Sequence, residues 1–351
     1  MNTATARWTV RPEGSTWGDF GPDDQLGRLN LVTREKVLQG IAEVKEGISF
    51  CLSLPLTLPG GTALNPRRQP PKLRPIGRDG YPAMNFPTSL ENPKYTDLIC
   101  DDMIEFTMQY STQWDSLAHV GQFFDVDGDG KPERVYYNGF RAGVDVVGPY
   151  DFEAGTELPE GATLGANRLG IENMAAAGVQ GRAVMVDFEA HYGRTHHPVS
   201  YDDLMRMLEK DRVEPEKGDF FVMHTGFAEI LIEGAGNPDP KLLHNSCAAL
   251  DGRDRRTQNW ITDTGVVAMI ADNLAVEFSP SREDEHGHNC SKLPLHEHCL
   301  FRLGVNLGEL WNLGELNAWL KANGRNRFLL TAPPLRYPGA VGSPVTPIGT
   351  V

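Results

Sequence analysis

The sequence predicts an α/β fold, and two observations carry this prediction. From residue 182 onward, short apolar runs typical of strands alternate with segments whose apolar residues recur at helical spacing. The first half leans towards strands and loops, and no change of composition marks a linker between the halves. A chain of 351 residues can bury a large core. We therefore expect residues 1–351 to form one domain.

The N-terminal part, residues 1–47, is predicted to be an arm followed by one helix. Thr33 is a suitable N-cap, Val37, Leu38 and Ile41 recur at helical spacing, and Gly47 follows the helix. Residues 48–56 are typical of a strand. Residues 59–97 contain so much Pro, Gly and Asn that we expect a long irregular loop, of a kind that covers a site or lies on a partner subunit.

The remaining elements follow from periodicity and capping. Ser200, with Asp203 three residues later, predicts the start of a helix over residues 201–210. Further helices are expected near residues 254–263 and over 313–322. Strands are expected over residues 103–110, 182–188, 219–225, 266–271 and 328–331.

The composition excludes several classes of protein. Lys and Arg number 33 against 47 Asp and Glu, and the resulting net charge of −14 would repel nucleic acids and anionic membranes. No apolar run approaches the about 18 residues of a membrane span, and the N-terminus lacks the apolar core of a signal peptide. The five cysteines are scattered, which fits reduced thiols. We predict a cytoplasmic protein with neither a nucleic-acid nor a membrane partner.

Candidate catalytic residues lie in the segment Ser111–His119. Gln113 and Asp115 are two residues apart, so on an extended chain their side chains share one face, and His119 follows closely. One interpretation is a polar turn with a solvated histidine. The other is part of a metal-ligand set with a general base beside it.

A second group lies near the C-terminus. His296 and His298 share a face only in a strand, so they need not both bind a ligand, and Glu309 follows His296 by thirteen residues. The run from Glu283 to His288 resembles a chelating cluster but is more typical of a solvated loop. Residues 125–130 imitate the start of a calcium loop, yet the twelfth position is Tyr136 instead of glutamate, which favours a simple turn.

Together these residues resemble the putative cyclase family, which includes kynurenine formamidase and isatin hydrolase. The family motif H-x-G-T-H-x-D-x-P-x-H aligns with residues 109–119, where Thr112, Asp115 and His119 match. Two metal-binding histidines of the motif are Gln109 and Gln113 here. The sequence resembles the longer family branch with a T-Q-W-D-S segment. The resemblance also covers stretches near the start, residues 181–188, 293–296 and 308–309, and the C-terminal tail.

The resemblance implies a swivelling β/β/α fold, a single domain, and assembly as a homodimer or homotetramer. It implies that Asp115, His296 and Glu309 bind one divalent metal, and that His119 is the catalytic base. An amide oxygen at Gln113 would make the ligand set richer in oxygen, which suits Zn²⁺ or Mn²⁺. The aromatic residues Trp114, Tyr110 and Phe124 are candidates for an apolar wall around a ring-bearing substrate, or for core packing.

The implied activity is metal-dependent hydrolysis of an amide, lactam, imide or lactone bond in a small molecule. Two alternatives stay open. The same metal can serve a cyclase or dehydratase, and the loss of two family histidines also fits a small-molecule-binding protein without catalysis.

Overall fold

A computed structural model describes residues 6–283 and 290–351. The polar run from Glu283 to His288 lies almost wholly outside these residues. In the described residues the strands, in chain order, are β1 (Ser49–Cys51), β2 (Lys72–Pro75), β3 (Gly77–Arg78), β4 (Tyr81–Pro82), β5 (Phe86–Pro87), β6 (Leu98–Ile99), β7 (Asp102–Glu105), β8 (Gln113–Asp115), β9 (Gln122–Phe124), β10 (Glu133–Val135), β11 (Val146–Val147), β12 (Tyr150–Asp151), β13 (Thr156–Glu157), β14 (Gly165–Ala166), β15 (Gln180–Asp187), β16 (His197–Val199), β17 (Phe220–His224), β18 (Ala248–Leu250), β19 (Ala268–Ala271), β20 (Asn306–Glu309), β21 (Arg327–Thr331), β22 (Gly342–Pro344) and β23 (Ile348–Thr350).

The helices of the same residues are α1 (Arg34–Ala42), α2 (Ile171–Ala177), α3 (Glu189–Tyr192), α4 (Tyr201–Asp211), α5 (Phe227–Glu233), α6 (Pro240–His244), α7 (Arg255–Thr264), α8 (Pro294–His296) and α9 (Gly314–Ala322). Helix α8 continues as a π-helical turn over Glu297–Leu303. Short 3₁₀ turns occur at Gly27–Leu31, Thr88–Leu90 and Tyr137–Gly139. None of the described helices is both long enough and apolar enough to cross a membrane.

Nine strands form the main sheet, in the order β1-β23-β21-β15-β17-β19-β20-β8-β22. The four strands β15, β17, β19 and β20 are parallel, and the other neighbouring pairs are antiparallel. Strands β22 and β23 lie near opposite ends of this order, although only residues 345–347 separate them along the chain. Because so short a connection spans at most about 14 Å, the sheet must curl until its two edges approach each other.

The core has an apolar layer on each face of this sheet. Alternate residues of β15 face the two layers: Val184 and Val186 belong to one, Ala183 and Met185 to the other. Helices α4 and α7 cover the first layer with Leu204, Met207 and Ile261, and α2 and α9 cover the second with Met174, Leu316 and Leu320. This arrangement confirms the predicted α/β fold.

The starts of α1, α4 and α7 were predicted well because their caps are local. The Thr33 side chain accepts a hydrogen bond from the amide of Lys36, and Ser200 and Asp203 form a reciprocal capping box. Asp254 likewise caps α7. The predicted strands of the second half are also present, with ends that shift by one or two residues.

Two predictions for the first half are wrong in part. Residues 59–97 are not without regular structure, because β2 pairs with β7, β3 with β4, and β5 with β6 in short antiparallel ribbons. The predicted strand over residues 103–110 is limited to β7, which ends at Glu105. Ribbons of two to four residues are stabilised by pairing across the chain, so local composition does not reveal them.

Candidate metal centre

Strands β8 and β20 bring the predicted residues together. They pair antiparallel with Glu309 opposite Gln113, so these two side chains share a face, and Asp115 joins them through the alternation along β8. All three are buried. The predicted common face of Gln113 and Asp115 is therefore present.

The start of β8 is fixed by Thr112. Its hydroxyl donates a hydrogen bond to the Leu310 carbonyl and accepts one from the Leu54 amide, 2.9 Å away. These bonds tie β8 to the chain that follows β20 and to the segment after β1. The positions of the two carboxylates thus depend on three separate parts of the sequence.

His296 approaches the carboxylates from the end of α8. Its Nε2 lies 3.3 Å from Glu309 Oε1 and 4.0 Å from Asp115 Oδ2, and the residue is buried. Its Nδ1 lies 2.8 Å from Glu277 Oε1, so Nε2 is the nitrogen that faces the cluster. A histidine held in this way by a carboxylate is typical of metal ligands.

Glu277 stabilises both the start of α8 and the orientation of the His296 ring. Its carboxylate accepts hydrogen bonds from the amides of Leu295 and His296, at 2.9 and 3.2 Å, in addition to its bond with the imidazole. It therefore fixes both the helix start and the ring. Gly252 leaves the space for it, because a Cβ at that position would lie 2.3 Å from Glu277 Oε2.

Sequence reasoning missed Glu277. Its contacts join residues about twenty positions apart, and no periodic pattern reports them. The one available signal was a glutamate between apolar residues, Val276 and Phe278, since a charged group in such a run needs a buried partner.

Gln113 presents its amide nitrogen to the carboxylates. Nε2 donates to Glu309 Oε2 at 3.0 Å and lies 3.4 Å from Asp115 Oδ1. Its Oε1 is buried without a hydrogen-bond partner, as is Asp115 Oδ2. Two unpartnered buried acceptors, Gln113 Oε1 and Asp115 Oδ2, lie beside an imidazole nitrogen that already faces the Glu309 carboxylate. A cation satisfies such an arrangement, so these residues fit a divalent metal.

The pKa values of the two carboxylates in the cluster shift in opposite directions. Burial raises the pKa of Asp115, although His119 beside it acts in the opposite direction. Burial also opposes ionisation of Glu309, but the His296 imidazole and the Arg68 guanidinium outweigh it and lower the pKa of Glu309. For His296, burial favours the neutral ring, whereas Glu277 and Glu309 raise its pKa to about 10.

His119 lies at the more accessible side of the cluster. Its Nε2 is 3.8 Å from Asp115 Oδ1, and its side chain is 21% exposed, compared with 3% for His296. One ligand atom from each of Asp115, His119 and His296 lies within 4.8 Å of the others. This position is compatible with both roles that the sequence left open for His119, base and metal ligand.

The other predicted residues lie elsewhere. His298 does not join the cluster: its Nε2 pairs with the Thr262 hydroxyl at 3.0 Å. Trp114 points to the opposite face of β8, where it packs against Trp311 and donates to the Ala332 carbonyl at 2.8 Å. Its predicted contact with substrate does not fit this position, because adjacent residues of a strand face opposite ways.

The remaining aromatic residues are anchored by other parts of the chain. The Tyr110 hydroxyl donates to the Gly61 carbonyl at 2.9 Å, and Phe124 packs against Trp17 and Phe301. Contact of Tyr110 and Phe124 with substrate stays a prediction. The calcium-like residues 125–130 form the turn between β9 and β10, where Asp125 accepts hydrogen bonds from backbone amides, as a simple Asp/Gly turn predicts.

A second acidic group surrounds His224 at the end of β17. Nδ1 of His224 lies 3.0 Å from Asp187 and Nε2 lies 3.3 Å from Glu229, so both ring nitrogens are engaged. Asp272 accepts bonds from the Thr225 hydroxyl and the Gly226 amide. Burial opposes protonation of His224, but its carboxylate partners raise its pKa to about 10. These contacts link the end of β17 to β15 and to the residue that follows β19.

Comparisons with known proteins agree with this fold. A family model described as putative cyclase matches residues 52–278, and no curated protein matches the chain. A crystal structure described as a novel cyclase is 29% identical and aligns with a TM-score of 0.72 over 97% of this chain and 100% of its own. Isatin hydrolase A from Labrenzia aggregata, bound to benzyl benzoate, is 12% identical, with a TM-score of 0.53 over 90% of this chain and 97% of its own.

Isatin hydrolase A from Ralstonia solanacearum is 16% identical and aligns over 90% of this chain and 97% of its own, with a TM-score of 0.52. At these identities the likeness concerns the fold, a mixed α/β domain built on a curled sheet, as the resemblance implied. The family model covers more than half of the residues. The chain therefore belongs to the putative cyclase family.

Proposed function

We propose that this protein is a metal-dependent hydrolase that opens an amide, lactam, imide or lactone bond in a small, ring-bearing molecule. The observation that carries the proposal is the buried set formed by Asp115, His296 and Glu309, in which an acceptor without a partner faces an imidazole held by Glu277. The fold is compatible with hydrolysis, because two relatives in the comparisons are isatin hydrolases.

Asp115, His296 and Glu309 would hold one divalent ion, Zn²⁺ or Mn²⁺, with an amide oxygen from Gln113 as a further donor. When bound, such an ion would supply Lewis acidity, which lowers the pKa of water so that it can lose a proton and attack a carbonyl carbon near neutral pH. Glu277 keeps the His296 ring in the tautomer that leaves Nε2 free for the ion.

In this proposal His119 moves the proton. Its ring lies beside Asp115 and keeps contact with solvent, so it can accept a proton from the attacking water. The same ring then delivers the proton to the leaving nitrogen or oxygen as the bond breaks. Asp115 Oδ1 lies 3.8 Å from Nε2 of this ring, while its other oxygen faces His296.

The test is conversion of a panel of cyclic amides, imides and lactones, followed by mass spectrometry. We expect products heavier by one water molecule, in protein loaded with Zn²⁺ or Mn²⁺ and not in protein stripped by a chelator. Restoring the metal should restore turnover. Loss of water would favour the cyclase or dehydratase alternative, and binding without conversion by loaded protein would favour a binding protein.

Gln113 offers a separate prediction about metal affinity. Replacing it with leucine removes the amide that bridges Glu309 and Asp115 and leaves both carboxylates less well oriented. We expect metal affinity to fall by about 10- to 100-fold, as for other residues that orient ligands. Gln113→His should retain metal and shift its preference towards Zn²⁺. Competition titrations with a chelating dye measure both the metal affinity and the preference for Zn²⁺.

The control is Gln109→Leu, because the Gln109 side chain lies against Gly342 and has no hydrogen bond to the carboxylates among the described contacts. It should bind metal as the unaltered protein does. Equal metal affinity and turnover in the unaltered protein and in the leucine and histidine variants at position 113 would show that Gln113 takes no part in the site.

We also propose a homodimer or homotetramer. The ribbons between residues 72 and 105 expose apolar side chains, among them Leu73 and Ile104, which are cross-strand partners with 68% and 43% exposure. Such a surface is typical of a contact between subunits. Light scattering should give a mass of at least twice 38.7 kDa. A mass of one chain at micromolar concentration would contradict the proposal.

Replacing Leu73 and Ile104 with lysine should shift the assembly towards single chains, because each charge would have to be desolvated in the contact. Phe152→Lys is the matched control. This side chain is 76% exposed, but it belongs to the β12–β13 hairpin instead of the ribbons.

A further inference from the structure

Residues 54–69, here called the strap, run from the end of the β1 region to the neighbourhood of the metal centre. Leu54 and Leu64 pack with Leu310 in a small apolar cluster. The Gly61 carbonyl accepts from Tyr110, and the Ala63 carbonyl accepts from His244 at 3.2 Å. The strap is thus held at several points along its length.

One glycine makes this fit close. Gly60 has a φ of +90°, and a Cβ there would lie 1.9 Å from the Gly236 carbonyl oxygen. No side chain fits at this point, so the strap is in direct backbone contact with the segment after α5. Arg68 lies eight residues further along the strap and is held by its own hydrogen bond to the Gln109 carbonyl.

Arg68 is a cation beside the metal centre with unused hydrogen-bonding capacity. Its Nη1 donates to the Gln109 carbonyl at 2.7 Å and lies 3.7 Å from Glu309 Oε2. Among the described residues, Nε and Nη2 have no hydrogen-bond partner, and neither is a fully buried atom. The side chain is 18% exposed, so this edge of the guanidinium can still receive a ligand.

The charges of the metal-loaded site indicate whether it can accept an anionic ligand. Asp115, Glu277 and Glu309 are three buried carboxylates. A divalent ion and the Arg68 guanidinium would balance them when the histidines are neutral. Without Arg68 the loaded site would keep an excess negative charge, which would repel an anionic substrate at short range in a poorly solvated site.

We propose that Arg68 binds a carboxylate carried by the substrate, so that the substrate class is a small cyclic amide, imide or lactone that bears a carboxylate group. The inference rests on the hydrolase function proposed above. The paired donors Nε and Nη2 match the two oxygens of a carboxylate, and this geometry distinguishes arginine from lysine. Arg68 thereby selects the substrate by its charge, while the metal ligands act on the reacting carbonyl.

The test compares binding of benzoate and benzamide, which have similar shapes but different charges, to metal-loaded protein by calorimetry. We expect Arg68→Met to weaken benzoate binding by about 10- to 100-fold and benzamide binding by less than about 3-fold, as for loss of a charge-assisted pair. Arg68→Lys keeps the positive charge but lacks the paired donors of the guanidinium. Its benzoate affinity should therefore lie between that of Arg68→Met and that of the unaltered protein.

Arg67→Met is the matched control, because it makes the same change one residue earlier, at an exposed side chain. It should leave both affinities unchanged. Unchanged benzoate affinity in Arg68→Met, an equal loss for benzoate and benzamide, or full recovery in Arg68→Lys would each overturn the proposal. So would a failure of benzoate to bind the unaltered protein.

Elemental analysis keeps this result separate from the proposed function. A protein that takes up no metal contradicts the hydrolase proposal, and the same benzoate comparison made on the metal-free protein then still tests Arg68. If Arg68→Met retains metal and loses only benzoate, a general disturbance of Glu309 is excluded, since it would reduce the metal content as well.

Discussion

Replacing His296 with alanine is expected to release the metal ion. Among the described residues, the His296 Nε2 is the one imidazole nitrogen within 4.0 Å of both Asp115 and Glu309, at 4.0 Å from Asp115 Oδ2 and 3.3 Å from Glu309 Oε1. Without it, the carboxylates of Asp115 and Glu309 and the Gln113 amide remain to hold a cation. The substitution also leaves the Glu277 carboxylate buried without its imidazole partner, which we expect to cost about 3–5 kcal/mol of folding stability.

The measurement is elemental analysis after mild purification, together with thermal unfolding. His298→Ala is the matched control: it removes a buried imidazole two residues later that contacts Thr262 and not the carboxylates. This variant should keep the metal. A near-stoichiometric metal content in His296→Ala would contradict the proposed ligand set.

Glu309→Ala separates two roles within that set. If Glu309 binds the ion, its loss should lower metal affinity and turnover together. A loss of turnover at unchanged metal affinity would mean that Glu309 acts on the substrate or on Arg68, whose guanidinium lies 3.7 Å from it.

Replacing His119 with alanine is expected to preserve the metal and to lower kcat by about two to four orders of magnitude. This is the usual contribution of a positioned acid or base. We favour the role of base for His119 over that of metal ligand because its side chain is 21% exposed and can exchange a proton with solvent. The His296 side chain, by contrast, is nearly inaccessible. Metal content and kcat are measured on the same preparation.

The competing role for His119 gives a different result. If its ring is a metal ligand, as its distance from Asp115 allows, the alanine variant should lose metal along with activity. Full activity with unaltered pH dependence would eliminate both roles. His191→Ala is a suitable control, because its imidazole pairs with Asp211 on a different part of the surface.

The sequence was informative where chemistry is local. The spacing of Gln113 and Asp115 predicted their common face, because the period of a strand is two residues. The helix caps were equally readable, since each depends on three or four consecutive residues. The assignment of Glu309 to the same site came from a family resemblance, and the antiparallel register of β8 and β20 now accounts for it physically.

The rest depends on contacts between distant residues. Glu277 contacts His296 across 19 residues of chain, and Arg68 lies near Glu309 across more than two hundred. Neither contact produces a periodic pattern in the sequence from which it could be predicted. The alternation along β8 places Trp114 on the face opposite Gln113 and Asp115, so core packing is the one of its two predicted roles that fits.

The curled sheet has a consequence for synthesis of the protein. Strand β8 lies between β20 and β22, so the strand that carries Gln113 and Asp115 lacks one neighbour until residues 342–344 have been made. At about 5–20 residues per second, the ribosome needs roughly 2–8 s to proceed from β20 to β23. Until β22 has been made, the edge of β8 that faces away from β20 has no strand to pair with, and an unpaired strand edge can pair with another chain. We therefore expect slow codons between residues 310 and 344 to lower the yield of folded protein more than slow codons elsewhere.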